Sequence, residues 1–303
     1  MNLLSKRYLF FALSLLIILP GLFVLASGGL SLSIDFTGGS LLEVTFEGET
    51  PQVEEIFSVY KEANIKDPQV QTTETGSIII RSEFLDNEKR DAVLSALDET
   101  FGETTVQRFD SVGPSIGEQV TSRAAMAVGV SSFLVLLFIA WSFRSIQNGY
   151  RYGISAILAM IHDVAVIFSV TALGGLFFGW EIDSLFLTAL LTVIGFSMQD
   201  SIVVFDRIRE NSSSLRRLDY ETLVNHSIVQ TLQRSINTQL MTVEFLLLAL
   251  AFFGGVTLQQ FVIVLLVGLM SGTYSSIFIA APVLVVWENR EWENWFKKKK
   301  ARA

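Results

Sequence analysis

The sequence contains no cysteine and only two histidines among its 303 residues. Without cysteine the chain can form no disulfide, carry no thiolate nucleophile and offer no thiolate metal ligand, and two histidines leave little for a metal site. Charged residues are also scarce, at 17% against about 25% in average soluble proteins. Because half of the residues are hydrophobic and the mean hydropathy is +0.49, the composition predicts an integral membrane protein.

Six segments are long and apolar enough to span a bilayer, which takes about 20 residues of helix. They cover approximately residues 8–27, 124–143, 153–177, 185–205, 236–253 and 260–287. Lys6, Arg7 and the run Val24-Leu25-Ala26 resemble a cleaved signal peptide. The apolar stretch between them is about 18 residues long, beyond the usual 7–15, so we predict an uncleaved anchor.

Positive charge predicts the orientation of these spans. Lysines and arginines lie before the first span, between the second and third, between the fourth and fifth, and after the sixth, at Lys297–Lys300. The loops 178–184 and 254–259 contain neither residue type. The sequence therefore predicts a multi-pass protein of the plasma (inner) membrane with both termini in the cytoplasm. The C-terminal lysines favour binding to anionic lipids.

The segment between the first two predicted spans is acidic and has the pattern of a small folded domain. Residues 28–122 hold 18 of the 30 acidic residues against six basic ones. Leu42 and Val44 alternate with polar residues as in a half-buried strand. Further strands are predicted near residues 69–73, 78–80 and 106, and helices near 53–60 and 93–101. The order β-α-β-β-α-β is that of a ferredoxin-like fold, whose free sheet face or edge suits a partner; a stabilising lid is the alternative.

The predicted fold class is an α-helical membrane bundle of six transmembrane helices, with a small α+β ferredoxin-like extracytoplasmic domain between helices one and two. The predicted parts are helix one with a cytoplasmic N-terminus, the ferredoxin-like domain, helices two to six, and a basic cytoplasmic tail. Their bounds are residues 1–28, 29–122, 123–287 and 288–303.

Three carboxylates fall inside the predicted spans: Asp163, Asp200 and Glu244. A charge in hydrocarbon costs roughly 2.5–3.5 kcal/mol on insertion scales, so such a residue usually faces a partner or a water path. Asp163 and Asp200 lie at similar depth, roughly 9–15 Å from the cytoplasmic ends of their helices at about 1.5 Å per residue. Arg234, at the inner end of span five, is the nearest candidate counter-charge for Asp200.

Five motifs, taken in order, resemble the SecF family of protein translocase accessory subunits. They are Ile34-Asp35-Phe36-Thr37-Gly38-Gly39, Val112-Gly113-Pro114-Ser115-Ile116-Gly117, His162-Asp163-Val164, the run from Asp200 through Val204-Phe205-Asp206-Arg207-Ile208-Arg209-Glu210-Asn211, and Gly272-Thr273-Tyr274-Ser275-Ser276 continuing to Pro282. Phe196 and Gln199 stand where the family more often has Tyr and Asn. Glu244 stands where its motif is apolar or hydroxyl-bearing.

The resemblance implies kinship with resistance-nodulation-division transporters and obligate work with a SecD-type subunit. The implied function is proton-driven promotion of protein export at the outer side of a SecY-containing channel. Exported unfolded proteins are the implied substrates. By motif, the family's relay aspartate and arginine match Asp200 and Arg234, and a further carboxylate belongs to the partner. No enzymatic activity, no cofactor other than the coupling proton and no nucleic acid are implied.

Each candidate residue also has a structural interpretation. Asp200 fits a carboxylate hydrogen-bonded across helices, and Arg234 fits a lipid-facing anchor. Auxiliary roles remain open for Asp163, Gln199, Glu244, Asp206 and Arg207. Asp206 and Arg207 favour a helix-end charge network or a partner contact. Glu244 fits either a second proton-accessible group or a polar contact to another helix.

Two further expectations concern local geometry. His162 and Asp163 are adjacent, hence about 100° apart on a helix, which predicts that they do not act as one unit. The glycines flanking the external domain are candidate hinges for a swing of that domain, or static packing positions. They are Gly38, Gly39, Gly113 and Gly117.

Three other functions compete. An intramembrane aspartyl protease needs paired aspartates, which Asp163 and Asp200 supply, but the Gly-x-Gly-Asp turn of such enzymes is missing. A proton-coupled small-molecule efflux half-transporter shares the architecture. A passive membrane scaffold is the third alternative, and it predicts that Asp200 is dispensable.

Overall fold

The chain forms two compact units in a computed structural model. It describes residues 2–28, 30–47, 51–66, 68–72, 76–144, 148–239, 245–253 and 256–295. One unit comprises Met1–Ser31 with Val128–Ala303, and the other comprises Leu32–Ala127. Helices dominate the first, and the second contains a small antiparallel sheet.

A single 3₁₀ turn at Leu4–Lys6 precedes the helices of the larger unit, the second of which begins in the smaller unit. They are α1 (Arg7–Gly28), α5 (Pro114–Ser142), α6 (Gly149–Phe178), α7 (Ser184–Ser214), α8 (Tyr220–Gln239), α9 (Phe245–Phe253), α10 (Val256–Ser275), α11 (Ala281–Glu288) and α12 (Trp292–Trp295). The smaller unit adds α2 (Ile34–Thr37), α3 (Val53–Glu62) and α4 (Asn87–Phe101), and strands β1 (Gly39–Phe46), β2 (Gln69–Thr72), β3 (Ile78–Ser82) and β4 (Thr104–Val112).

Five described helical stretches are long and apolar enough to cross a membrane. They are Leu4–Gly28, Pro114–Ser142, Gly149–Phe178, Ser184–Ser214 and Leu258–Glu288. The remaining predicted span, residues 236–253, includes residues 240–244, which lie outside the described ranges, as does Glu244. The lysines at 297–300, which are predicted to bind anionic lipids, also lie outside the described ranges.

A π-helical turn, Ser276–Ala280, separates α10 from α11, and Pro282 follows it in the first turn of α11. Proline has no N–H and clashes with the carbonyl four residues earlier in a regular helix. A π-helical turn changes that bonding locally, and such turns are frequent at functional sites. The sequence therefore contains the cause of this irregularity, and the interruption lies directly after Ser275.

Helix α1 is held to the bundle through its own backbone. Ser169 on α6 donates a hydrogen bond to the carbonyl oxygen of Ile17 at 2.9 Å, and Tyr274 on α10 donates to that of Phe10 at 2.9 Å. A Cβ atom at Gly21 would lie only 2.3 Å from the Ser169 Cα. Glycine at this position therefore permits the close approach of α1 and α6.

Arg7, the first residue of α1, forms ion pairs within the larger unit. Arg7 forms ion pairs with Glu221 at 3.1 Å and with Glu291 at 2.6 Å. Only 13% of the Arg7 side chain is exposed, so solvent screens these pairs less than it would a surface pair. The start of α1, the first turn of α8 and the segment after α11 are thereby joined.

The sheet of the smaller unit has the strand order β2-β3-β1-β4, with every neighbouring pair antiparallel. Leu42 pairs with Ile80 and Val44 with Ile78, so all four side chains project from one sheet face. That face, α3 and α4 enclose one core. Its buried members are Leu42, Val44, Ile56, Val59, Tyr60, Ile65, Ile78, Ile80, Leu85, Val93 and Leu97.

Candidate functional site

Asp200 lies on the buried side of α7 and is 8% exposed. Helix α7 begins where Asp183 accepts a hydrogen bond from the backbone N–H of Phe186 at 2.7 Å, an N-cap. Apolar and small residues then recur at helical spacing toward the bundle, and Asp200 falls in that stripe with Ser197 and Val204. The pattern that buries α7 therefore also buries the carboxylate.

Two side chains from other helices donate hydrogen bonds to Asp200. Gln239, at the end of α8, donates from Nε2 to Oδ2 at 3.1 Å, and Thr273 on α10 donates from Oγ1 to the same oxygen at 3.3 Å. Sequence reasoning missed both partners. The available signals were the place of Thr273 in a quoted motif and an amide at position 239 within a predicted span. The site thus joins α7, α8 and α10 at one oxygen atom.

Arg234 is exposed on α8 and acts on Asp200 at longer range. The two charges interact electrostatically, but no ion pair within 4.0 Å joins them among the described residues. Gln239, five residues further along the same helix, makes the direct contact instead. The structure therefore brings the predicted pair to the same region without pairing them.

Asp163 is the most deeply buried carboxylate of the described bundle, at 1% exposure, and three serine hydroxyls surround it. Ser197 donates to Oδ2 at 2.5 Å, Ser275 to Oδ2 at 2.6 Å and Ser271 to Oδ1 at 2.6 Å. Both carboxylate oxygens of Asp163 therefore act as hydrogen-bond acceptors. Asp163 and Asp200 also interact electrostatically, so the two carboxylates belong to one polar region between α6, α7 and α10.

The predicted 100° separation of His162 and Asp163 on the helix does not keep their side chains apart. His162 Nδ1 lies 3.0 Å from Asp163 Oδ1, and the imidazole stacks on the Tyr274 ring at 5.9 Å between centroids. The 100° rule describes Cα–Cβ directions. It fails here because both polar atoms lie beyond Cβ and can turn toward each other along the helix surface.

Three other auxiliary candidates, Gln199, Asp206 and Arg207, form no hydrogen bond or ion pair with the two carboxylates among the described residues. Gln199 is exposed beside Met198, in an apolar groove lined by residues of α5 and α7. Asp206 pairs with Arg209 at 2.5 Å, and Arg207 pairs with Glu210 at 2.6 Å. These are surface pairs between residues three apart near the end of α7, and the geometry gives them no contact with Asp200.

Three of the four candidate hinge glycines pack tightly within the smaller unit. A Cβ atom at Gly117 would lie 2.6 Å from the backbone nitrogen of Gly38, and one at Gly38 would lie 2.9 Å from Pro114 Cα. Gly38 and Gly39 also have φ values of 71° and 125°, which favour glycine. Gly113 differs, since a Cβ there would meet no described atom within 4 Å.

Comparison with known proteins identifies the family to which the chain belongs. Residues 92–290 match the model of protein export membrane protein SecD/SecF, C-terminal, and residues 23–49 match the SecD/SecF GG motif. The protein translocase subunit SecF of Anaerolinea thermophila is 59% identical over 300 residues, covering 98% of this chain and 97% of that protein. The chain belongs to the SecD/SecF family.

Other SecD/SecF family members extend beyond the length of this chain. The protein translocase subunit SecDF of Thermus thermophilus is 40% identical over 273 residues, which cover 88% of this chain and 36% of that protein. The crystal structure of SecDF from the same organism, titled a translocon-associated membrane protein, is 35% identical with a TM-score of 0.81. It matches 96% of this chain, which spans only 39% of the solved chain.

Proposed function

We propose that this chain is a SecF-type protein translocase subunit that uses the proton motive force to promote late steps of protein export. The observation that carries the proposal is Asp200, a buried carboxylate in a membrane-length helix. Hydrogen-bond donors on two other helices hold it, and Arg234 acts on it from a distance. A membrane protein retains such a group where protons, ions or substrates are handled.

The proposed partners are a SecD-type subunit, a SecY-containing channel and exported unfolded proteins. A separate SecD-type chain is supported by the SecDF relative, of which this chain matches 36%. The proposed coupling ion is the proton, without a further cofactor or enzymatic step. Anionic lipids are the proposed contact of the C-terminal tail.

The proposed topology has six spans in the plasma (inner) membrane, both termini cytoplasmic, and a ferredoxin-like domain outside at residues 29–122. Residues 236–253 supply the additional span, with the end of α8 and α9 as its described parts. The strand order β2-β3-β1-β4, with α3 and α4 on one face, supports the ferredoxin-like interpretation.

In the proposed cycle Asp200 takes up a proton from the outer side and releases it inward, while Arg234 alternates between closer and more distant positions. Each proton moved through 100 mV supplies roughly 2.3 kcal/mol, so a few suffice to bias two positions of the external domain. Gly113 is the proposed hinge, because its surroundings are open. Gly38, Gly39 and Gly117 then serve to pack the strand ends.

Complementation tests the proposal. Cells depleted of their own SecF receive the chain or its Asp200→Asn variant, and release of a secreted protein is measured with and without a proton gradient. We expect Asp200→Asn to lose the gradient-dependent component. The matched control is Asp183→Asn on the same helix, since asparagine also accepts the N-cap bond from Phe186. Equal gradient-dependent release by wild type and Asp200→Asn at matched membrane levels would overturn the proposal.

A further inference from the structure

We propose that His162 and Asp163 form a second proton-binding site in the bundle, distinct from Asp200. The ligand is a proton, and the group that binds it is the Nε2 atom of His162. The proposal concerns proton uptake by the chain itself and does not depend on coupling to export. Three features of the site support it: the contact between Nδ1 and Asp163, the buried Nε2 without a hydrogen-bond partner in the described part of the chain, and the carboxylate of Asp163 as counter-charge.

The contact with Asp163 assigns one ring nitrogen of His162 as the carrier of the proton in the neutral state of the proposed site. Asp163 Oδ1 lies 3.0 Å from Nδ1. Three serines already donate to the two carboxylate oxygens, and in the proposed site the Nδ1–H group of His162 is the fourth donor. In this arrangement neutral His162 carries its proton on Nδ1 and presents an unprotonated Nε2.

Nε2 is buried and has no hydrogen-bond partner among the described residues. The side chain as a whole is 9% exposed. A buried ring nitrogen without a hydrogen-bond partner is a rare arrangement. A proton that joins Nε2 leaves Nδ1–H bonded to Asp163 and converts the ring to imidazolium. Unloading reverses the same step.

The positive charge created in this way meets a prepared negative one. In the proposed site the Asp163 carboxylate is the counter-charge, and Ser197, Ser271 and Ser275 already hold it in place. A paired buried charge is far less costly than an isolated one. The loaded state of the site is thus a neutral ion pair, whereas the unloaded state carries the single charge of Asp163.

The ionisable neighbours come from three helices. Asp163 lies beside His162 on α6, Tyr274 on α10 stacks on the ring, and Asp200 on α7 interacts electrostatically with Asp163. From α1, the atoms that contact Tyr274 are the Ser14 hydroxyl and the Phe10 carbonyl, which carry no charge. Loading His162 therefore removes negative charge close to Asp200, which links the occupancy of the two sites.

The small number of histidines makes the test direct. With His226 replaced in His226→Gln, His162 is the one histidine left of the two in the chain. The full-length variant, purified with a histidine-free tag and placed in lipid nanodiscs, is labelled with ¹⁵N-histidine. Its imidazole nitrogen resonances are then recorded between pH 5 and pH 9.

We expect a reversible change in this range from one protonated nitrogen, Nδ1, to two. Adding Asp163→Asn should abolish it, whereas Tyr274→Phe, which keeps the stacked ring, should retain it. A His162 ring that stays neutral with the same resonances from pH 5 to pH 9 would overturn the proposal, even if Asp163→Asn failed to fold. Retention of the titration in a folded Asp163→Asn variant would also overturn it. Neither result bears on the export assay with Asp200→Asn, so the two proposals fail separately.

Discussion

Hydroxyl groups supply four of the five side-chain O–H or amide donors that bind the two buried carboxylates of the described bundle. Serine and threonine suit this position because they are small enough to lie between closely packed helices. Hydrogen bonds of this kind contribute about 0.6 to 2 kcal/mol each in membranes. Individual donors should therefore be replaceable without unfolding the bundle, and their loss should appear in function.

Thr273 provides such a test at Asp200. Thr273→Val keeps the side-chain shape and removes the donor that lies 3.3 Å from Asp200 Oδ2. We expect gradient-dependent release to fall by about fivefold to tenfold, since one hydrogen bond to a charged group is worth roughly 1–1.5 kcal/mol here. Thr273→Ser is the control, because it retains the hydroxyl. Equal release by Thr273→Val and wild type would show that Gln239 alone is sufficient to hold Asp200.

Tyr60 makes a separate prediction about the smaller unit. Its ring is fully buried, and its hydroxyl has no partner among the described residues. An unsatisfied buried hydroxyl costs about 1–3 kcal/mol, so Tyr60→Phe should raise the free energy of unfolding by about 1 kcal/mol. Pulse proteolysis of the full chain in urea, following cleavage within residues 32–127, measures this. A variant that is less stable than wild type would show that the hydroxyl is satisfied.

The same hydroxyl predicts a pH dependence. Burial raises the pKa of Tyr60 above its ordinary value of 10.0, because the phenolate is poorly solvated in the core. The unfolded chain therefore loses this proton at lower pH than the folded chain does. The contribution of Tyr60 to stability is fully present below about pH 10 and declines as the pH rises above it. Tyr60→Phe should reduce the loss of urea resistance between pH 8 and pH 10.5.

Sequence reasoning located single residues well where the signal was local. The burial of Asp200 follows from its place in an apolar stripe, and the sequence around it contains that stripe. Its partner Gln239 lies 39 positions away, and helix packing alone determines which amide reaches the carboxylate. For Glu244 the structure offers no comparison, because residues 240–244 lie outside the described ranges.

At the scale of whole elements, residue patterns predicted the strands and helices of the smaller unit, but they did not predict how the strands align with one another. Alternation identified β1 through Leu42 and Val44, which are buried as expected. Helix α3 lies where a helix was predicted, but the periodic pattern did not specify which of its residues are buried: Phe57 is 39% exposed, whereas Val59 is buried. The register shift between Glu43 and Val44 opposite β4 likewise depends on the partner strand.

Helix α1 gives a prediction at this scale. In Gly21→Ala the added Cβ would lie 2.1 Å from Ser169 Oγ and 2.3 Å from its Cα, so α1 and α6 must separate. We expect a loss of about 1–3 kcal/mol in bundle stability, which thermal unfolding of the purified chain in detergent measures. Gly129→Ala on α5 is the matched control, because its Cβ would meet no described atom within 4 Å. Equal unfolding temperatures for both variants would show that α1 shifts freely.

At the scale of the whole molecule, the absence of cysteine allows a direct test of the proposed topology. Single cysteines introduced at exposed positions, as Glu99→Cys in α4 and Arg217→Cys between α7 and α8, have no background thiol. A membrane-impermeant maleimide should label the first in intact cells and the second only after permeabilisation. Labelling of position 217 in intact cells would contradict the cytoplasmic assignment of this loop.

The number of predicted spans shows which membrane helices hydropathy alone can identify. Hydropathy identified the five described stretches because each is a long and strongly apolar helical stretch. The segment 236–253 is harder, since α8 carries polar residues up to Gln239 and the strongly apolar α9 is only nine residues long. A helix that contributes Gln239 to a buried carboxylate is necessarily less apolar than one that only faces lipid.

The attachment of α1 through its carbonyl oxygens has a consequence for sequence change. Ser169 and Tyr274 bind the backbone at Ile17 and Phe10, and every amino acid supplies the same carbonyl group. Mutations at the lipid-exposed positions of α1 therefore leave these bonds intact as long as the helix stays apolar. Among related chains, α1 should drift rapidly in identity, while the serine, the tyrosine and the single glycine at its contact surface change slowly.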